Sequence, residues 1–460
     1  MRRKRSGRLR GPLILILLVA LVFVVVAAFR AGPAPEISIE LALPGIGKRT
    51  PIRIVVSEPK RGLKALSVEF VQGERVDVLA SRRYVPIEPW KFWGERTRKD
   101  ELALEVGSET LEQIQEGPAV IRVIADRASS WLRYPEPVVE ELVSEVRLRP
   151  PTLQALSSFT YVSQGGCEAV VYTVGDSSVQ DGVQAGDWWF PGYPLPGAQD
   201  GRRFALFAWP YDLEDPNGVR LHASDDLGNQ ANVPFVDKFT PRPPRSDNIR
   251  LPDSFLERVV PAIMAQTPEL RDRGSPLENY LAINGELRGK NNATLVELAG
   301  QSAPQFFWNR RFLQMRNAKV MSNFADHRTY LYQGREVDQQ DHLGFDLAST
   351  RGAEIQAANH GVVALARYFG IYGNAVVIDH GYGLMSLYGH LSSINVDEGE
   401  EVQRGDVLGR SGATGLAGGD HLHFTMLLQG LPVDSREWWD GHWIQDRLVL
   451  KLGDGLPFEE

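Results

Sequence analysis

Apolar and polar positions alternate along the first third of the chain and then change period. Residues 37–43 alternate in the manner of a half-buried strand, and residues 52–56, 66–71 and 120–125 are short β-branched runs between turn residues such as Pro44, Gly45 and Gly73. The pattern predicts a β-rich domain over 31–149, ending at Arg149-Pro150-Pro151. A second β-rich stretch follows to about residue 239 and predicts a small sandwich over 150–240, closed by prolines at 241–244. Between 250 and 300 the period becomes helical: Phe255, Val259 and Ile263, then Leu277, Tyr280, Leu281 and Leu287. This predicts a helical hairpin capped at Asp253 and Ser275, either a spacer or a lid over a groove. Strand-like runs resume at 375–378 and 384–388, joined by Gly381-Tyr382-Gly383.

Residues 12–29 stand apart from all of these. They carry no charge or strongly polar side chain. As a helix they would reach roughly 27 Å, near the apolar thickness of a bilayer. Six basic residues and no acid precede them: Arg2, Arg3, Lys4, Arg5, Arg8 and Arg10. The expectation is an uncleaved signal anchor over 1–30 in the cytoplasmic (inner) membrane, with the N-terminus inside and the remainder in the periplasm or outside. The overall charge of -8 hides this asymmetry: without those six, 44 basic residues face 58 acidic ones, and residues 12–460 carry -14. An acidic exported part argues against nucleic acid as a partner and against simple attraction to anionic wall polymers.

The candidate chemistry lies in the histidines. Eight of nine fall between His327 and His442, and the single cysteine, Cys167, excludes a thiolate zinc cluster and an intrachain disulfide framework. His342-Leu343-Gly344-Phe345-Asp346 sets an imidazole four residues from a carboxylate. Asp420-His421-Leu422-His423-Phe424 sets two imidazoles two apart, on one face of a strand, with Leu422 and Phe424 toward the core. Two imidazoles and a carboxylate, with a fourth position left to water, form a catalytic type of zinc site. The intervening Tyr388-Gly389-His390-Leu391-Ser392 adds a further imidazole. The remaining histidines read as turn, surface or packing residues: His380 and His360 at turns, His442 packed beside Trp438, Trp439 and Trp443, His222 on a strand, and His327 on the surface or in a groove. Cys167 reads as a buried small hydrophobe.

Residues 342–424 resemble the catalytic domain of LytM/lysostaphin-type zinc metallopeptidases, the peptidoglycan endopeptidase family. The resemblance rests on the segments above together with Tyr372-Gly373-Asn374, Gly412-Ala413-Thr414-Gly415 and Gly419-Asp420-His421-Leu422-His423. It implies an antiparallel-β peptidase domain over 310–445 and one Zn2+ per chain on His342, Asp346 and His423. It also implies His421 as general base and His390 as stabiliser of the tetrahedral intermediate or its leaving group. Arg328, Asn374 and Tyr388 are the candidate substrate-groove residues. Phe324-Ala325-Asp326 stands where many relatives have Phe-Gly, a local departure. The loose closing-hairpin pattern at 218–229 resembles bacterial immunoglobulin-like modules. The expected fold is thus mainly β: a membrane anchor, two sandwich-like domains, a helical hairpin and the peptidase domain. The expected activity is a membrane-anchored zinc endopeptidase acting on cross-links or stem peptides of peptidoglycan. The alternatives are a regulator of other wall hydrolases, with a divisome or hydrolase partner, and a zinc protease of envelope proteins.

Overall fold

The computed structural model describes residues 10–29, 32–91, 93–131 and 133–459. The chain divides into two compact units, residues 1–150 with 224–230, and residues 151–223 with 231–460. The basic segment expected before the anchor lies almost wholly outside the described residues. Helix α1 (Arg10–Phe29) follows it, and its large apolar side chains from Leu13 to Val26 are 42–72% exposed. Among the described residues, no helix is long and apolar enough to cross a membrane. The side chains described in α1 run only from residue 11 to residue 26, so the expected span over 12–29 is covered in part.

In the first unit a three-stranded sheet and a four-stranded sheet enclose a core of Ile52, Ile54, Val68, Phe70, Ile121 and Val123. Its strands alternate buried and exposed positions, as in Thr50–Ser57, because each sheet has one covered face.

The second unit is built around the sheet that carries the histidines. Its order runs Lys319–Ser322, Phe345–Ala348, Leu422–Leu428, Leu384–Leu391, Asn374–Asp379, Gly361–Tyr368 and Glu401–Val402, with Leu431–Val433 paired beside Leu422–Leu428. Neighbouring strands are antiparallel. Every residue of Leu384–Leu391 and of Leu422–Leu428 is buried. That is unusual for an antiparallel strand and means that both faces are covered. On one face Val376, Ile378, Phe424 and Met426 share a core with Phe204, Phe207, Trp308 and Trp438, so the 151–240 sandwich and the peptidase sheet bury each other. On the other face Ala375, Val377, Leu387 and Leu427 pack against Val259, Ile263 and Leu295 of the helical segment.

That helical segment is longer and less regular than a hairpin. It comprises α2 (Asp253–Gln266), α3 (Pro276–Ala282), a π-helical turn at Ile283–Leu287 and α4 (Arg288–Ala299). Ser275 caps α3 by accepting from Glu278 N–H. Asp253 is not a cap. Pro252 holds the cap position, and the Asp253 carboxylate accepts from the Tyr332 hydroxyl at 2.9 Å instead. The stretch after the 241–244 prolines is also not a plain linker: Ser246–Arg250 pairs in parallel with Asp326–Tyr332.

Candidate metal centre

Three strands deliver the central cluster. His342 is the last residue of Arg335–His342, Asp346 lies in Phe345–Ala348, and His423 lies in Leu422–Leu428 directly opposite Asp346. The chain bends between His342 and Asp346, and Gly344 lets it pass close to the His423 strand. A Cβ there would stand 2.4 Å from Thr425 Oγ1 and 2.6 Å from the His423 ring. On the His423 strand, Leu422 and Phe424 point into the core shared with the sandwich. The alternation therefore turns His423 and Thr425 to the helical side, with Leu427.

Three ligand-type atoms converge. His342 Nε2 stands 2.9 Å from Asp346 Oδ1 and 3.1 Å from His423 Nδ1, which is itself 3.1 Å from Asp346 Oδ1. Their outer partners fix the tautomers. His342 Nδ1 is 2.9 Å from the Asn323 carbonyl, which can only accept, so that nitrogen carries the proton. Thr425 Oγ1 donates to the Leu343 carbonyl at 2.9 Å, so its lone pair receives Nε2–H of His423 at 3.0 Å. Both inward-facing nitrogens then present lone pairs to a carboxylate oxygen. Three acceptors at such distances repel unless a cation lies among them. Arg328 Nη2 holds the other oxygen of Asp346 at 2.9 Å and leaves Oδ1 for the centre. Two imidazoles and one carboxylate oxygen are the donor set of a zinc site with an open position, and one ligand atom from each of the three side chains lies within 4.8 Å of the others.

Two further imidazoles stand beside the cluster. The ring centroids of His390 and His421 are 4.8 Å apart, and His390 is 5.8 Å from His423. Each is oriented by a backbone carbonyl on Nδ1: Thr414 for His390 and Gly419 for His421, both at 2.8 Å. Their Nε2 atoms are therefore acceptors while the rings are neutral. His421 Nε2 lies 3.4 Å from Asp346 Oδ1. His390 has a φ of +65°, a left-handed conformation costly for a residue with a Cβ, of the kind that clusters at functional sites.

Burial opposes charge throughout. Burial pushes His423 down to about 4, against the pull of Asp346. Burial, with His421 and His423 nearby, holds His390 well below its usual value. Burial also works against charge on Asp346, yet with protons on the facing nitrogens the charge and bond of His342 and the bonds of His421 and His423 outweigh it and hold the carboxylate well below its usual range. His421 is the exception. Burial lowers it, but its bond and charge interaction with Asp346 raise it above its ordinary value. A cation held by Asp346 would oppose that pull.

The cluster opens into a cleft of about 640 Å3 lined by His342, Asp346, His390, His421 and His423. Arg328 lines it as well. Asn374 and Tyr388, the other two groove candidates, do not. Asn374 Nδ2 donates to the Leu391 carbonyl at 3.1 Å, and its N–H donates to Thr414 Oγ1, so it braces the loop behind His390. Tyr388 lies on the core face, its hydroxyl accepting from Ala358 N–H at 2.7 Å. The even and odd positions of a strand face opposite ways, which turns Tyr388 away while Gly389 pairs with His423.

His380 is buried between the His360 carbonyl and Ser386 Oγ, and His327 pairs with Asp341 at 2.8 Å. His442, expected to pack, is exposed, with its N–H on the Asp440 carboxylate. The helical segment, expected as a spacer or a lid over a groove, lines the cleft with Phe255, Arg258, Tyr280, Arg288 and Asn292; sequence reasoning missed Arg258, Arg288 and Asn292. It also missed Thr425, whose i+2 spacing from His423 was a usable signal.

Comparison with known proteins agrees with this geometry. Residues 340–435 match the model of peptidase family M23. The chain carries an M23 peptidase domain. It is 33% identical over 170 residues to the peptidoglycan DD-endopeptidase ShyA of Vibrio cholerae, covering 37% of this chain and 36% of that protein. It is 41% identical over 93 residues to the DD-carboxypeptidase/endopeptidase Mpg of Neisseria meningitidis, covering 20% of this chain and 21% of that protein. It is also 36% identical over 95 residues to the murein hydrolase activator EnvC of Escherichia coli, covering 21% and 23% respectively. The chain thus spans little more than a third, or less, of the length of these relatives. The helical wall of the cleft lies outside residues 340–435.

Proposed function

We propose that this protein is a zinc-dependent endopeptidase that hydrolyses peptide cross-links or stem peptides of bacterial peptidoglycan. The observation that carries the reading is the convergence of His342 Nε2, Asp346 Oδ1 and His423 Nδ1 within 3.1 Å, with the outer nitrogens committed to Asn323 O and Thr425. Zinc bound there would supply Lewis acidity, polarising a peptide carbonyl and making water nucleophilic near neutral pH. The chain's own residues do the rest. His421, with Nδ1–H on Gly419 O, offers Nε2 as the base that takes a proton from water. His390 also presents an acceptor. Once protonated by relay from its neighbour it becomes a donor toward the developing oxyanion or the departing amine. Arg328 fixes the rotation of the Asp346 carboxylate.

The similarity to ShyA supports peptidoglycan as the substrate class, and that to Mpg supports an endopeptidase. The basic residues at 2–10 and the apolar run at 12–29 support anchoring in the cytoplasmic membrane with the catalytic domain outside. The test is digestion of purified wall sacculi by the full chain in detergent, with zinc and after chelation. Muropeptide release that needs zinc is expected; unchanged sacculi in zinc-replete buffer would refute the proposal. A second reading, an activator of other wall hydrolases, draws on the similarity to EnvC. His421→Ala separates the two. As an enzyme the protein should lose about 10²–10⁴-fold in rate while keeping its metal, whereas an activator would tolerate the change.

A further inference from the structure

Four arginines line the cleft: Arg250, Arg258, Arg288 and Arg328. The cleft has two lining acids, and both are engaged, Asp341 by His327 and Asp346 by Arg328 and the histidines. Among the described residues, Arg328 has a carboxylate partner, whereas no ion pair engages Arg250, Arg258 or Arg288. In a part of the chain that carries -14, this concentration of unpaired positive charge at one cleft is selective, and a zinc ion would add to it.

Arg288 is the best organised of the three. It is half-buried, and both of its hydrogen bonds go to neutral acceptors one turn back. Nε donates to Asn284 O at 3.0 Å and Nη2 to Asn284 Oδ1 at 2.5 Å. Asn284 is held in turn, donating to Asp338 Oδ2 at 2.7 Å. Arg258, by contrast, is exposed and spends Nη2 on the carbonyls of Ala417 and Gly418. The π-helical turn Ile283–Leu287 ends immediately before Arg288. Such turns widen the helix and re-aim the side chains that follow, and they recur at functional positions. One turn to either side of the Asn284–Arg288 pair, Tyr280 and Asn292 also line the cleft. A guanidinium fixed in orientation, beside a phenol and a primary amide, matches the donor pattern of a carboxylate.

We propose that Arg288, flanked by Tyr280 and Asn292, forms a subsite that binds a free carboxylate of the peptide substrate and makes the protein selective for anionic peptides. The inference rests on the peptidase reading above and deepens it. It places the determinant of substrate charge on the helical segment, outside the M23 match. Arg288 is a specificity residue, apart from the zinc ligands and the proton-handling histidines.

The experiment uses the zinc-loaded full chain and cross-linked muropeptide dimers in which each carboxylate is in turn left free or amidated. For one position, the wild type should favour the free carboxylate by about 10–100-fold in kcat/KM, the worth of a charge-assisted hydrogen bond, chiefly through KM. Arg288→Gln should bring that ratio close to one, and Arg288→Lys should keep part of it, since the charge remains without the fork. Equal wild-type rates on every free and amidated pair would overturn the proposal, and so would an unchanged ratio in a folded Arg288→Gln protein. If Arg288→Gln does not fold, the wild-type ratios alone still decide, because selectivity for no carboxylate overturns the subsite. Sacculi and dimers left intact by the wild type would instead refute the peptidase reading and the subsite with it. Cleavage of sacculi without carboxylate selectivity refutes the subsite alone.

Discussion

Replacing Thr425 by Val tests the logic of the metal centre at the point where it is most specific. Thr425 is 1% exposed, and Val has nearly its shape, so packing is preserved while the hydroxyl is lost. That hydroxyl makes two bonds, donating to Leu343 O at 2.9 Å and accepting from His423 Nε2–H at 3.0 Å. Without it, His423 can place its proton on Nδ1, facing His342 Nε2 and Asp346 Oδ1. Metal binding must then displace that proton or reorient the ring. Loss of an outer partner of a ligating histidine costs about 10–100-fold in metal affinity, equivalent to about 1.4–2.7 kcal/mol. The assay is competition for zinc between the full chain and a chromophoric chelator at neutral pH, in wild type, Thr425→Val and Thr425→Ser. The serine variant keeps the hydroxyl and should bind nearly as the wild type does. Unchanged affinity in Thr425→Val would refute the tautomer argument. A loss shared equally by Thr425→Ser would point to packing instead.

Gly344→Ala forces a Cβ against Thr425 Oγ1 and the His423 ring. It should destabilise the domain by about 1–3 kcal/mol and cut zinc affinity in the same competition assay. Ala325 has a φ of +60°. Glycine there relieves about 1–2 kcal/mol of backbone cost and loses about 0.4–1 kcal/mol through a freer unfolded chain. Ala325→Gly should therefore raise stability by about 0–1.6 kcal/mol, read as an upward shift of the urea midpoint. Burial pushes the Glu437 carboxyl up to about 8, a shift tempered by the Cys167 N–H it accepts. A group protonated in the fold and ionised in the unfolded chain makes stability fall as pH rises between its unfolded value, near 4.5, and about 8. Glu437→Gln should flatten that slope, with a gain in melting temperature over wild type that is larger at pH 8 than at pH 5; an equal gain at both would contradict the assignment.

The candidate centre is legible in the sequence because its ligands lie in short local patterns. The i+2 spacing of His421 and His423 implies a shared strand face, and Gly344 between His342 and Asp346 implies a close turn; both are properties of a few consecutive residues. The same local rules explain the cap at Ser275 and the turn at residues 381–383. They fail where a partner decides. The apolar-rich segment Leu384–Leu391 announces a buried strand but not that a sandwich covers one face and helices the other. Asn374 and Tyr388 lie in motif positions, yet the register and pleat of the sheet turn one to a loop and the other to the core. Asp253 lost its expected capping role to a tyrosine 79 residues away. The sequence by itself determined the donor set, because ligand chemistry and strand alternation are short-range. The tertiary structure alone decided which walls surround it. Arg288, Tyr280 and Asn292 meet the cleft only because the helical segment packs on the second face of the sheet, and that packing is a sum of many weak apolar contacts far apart in the chain.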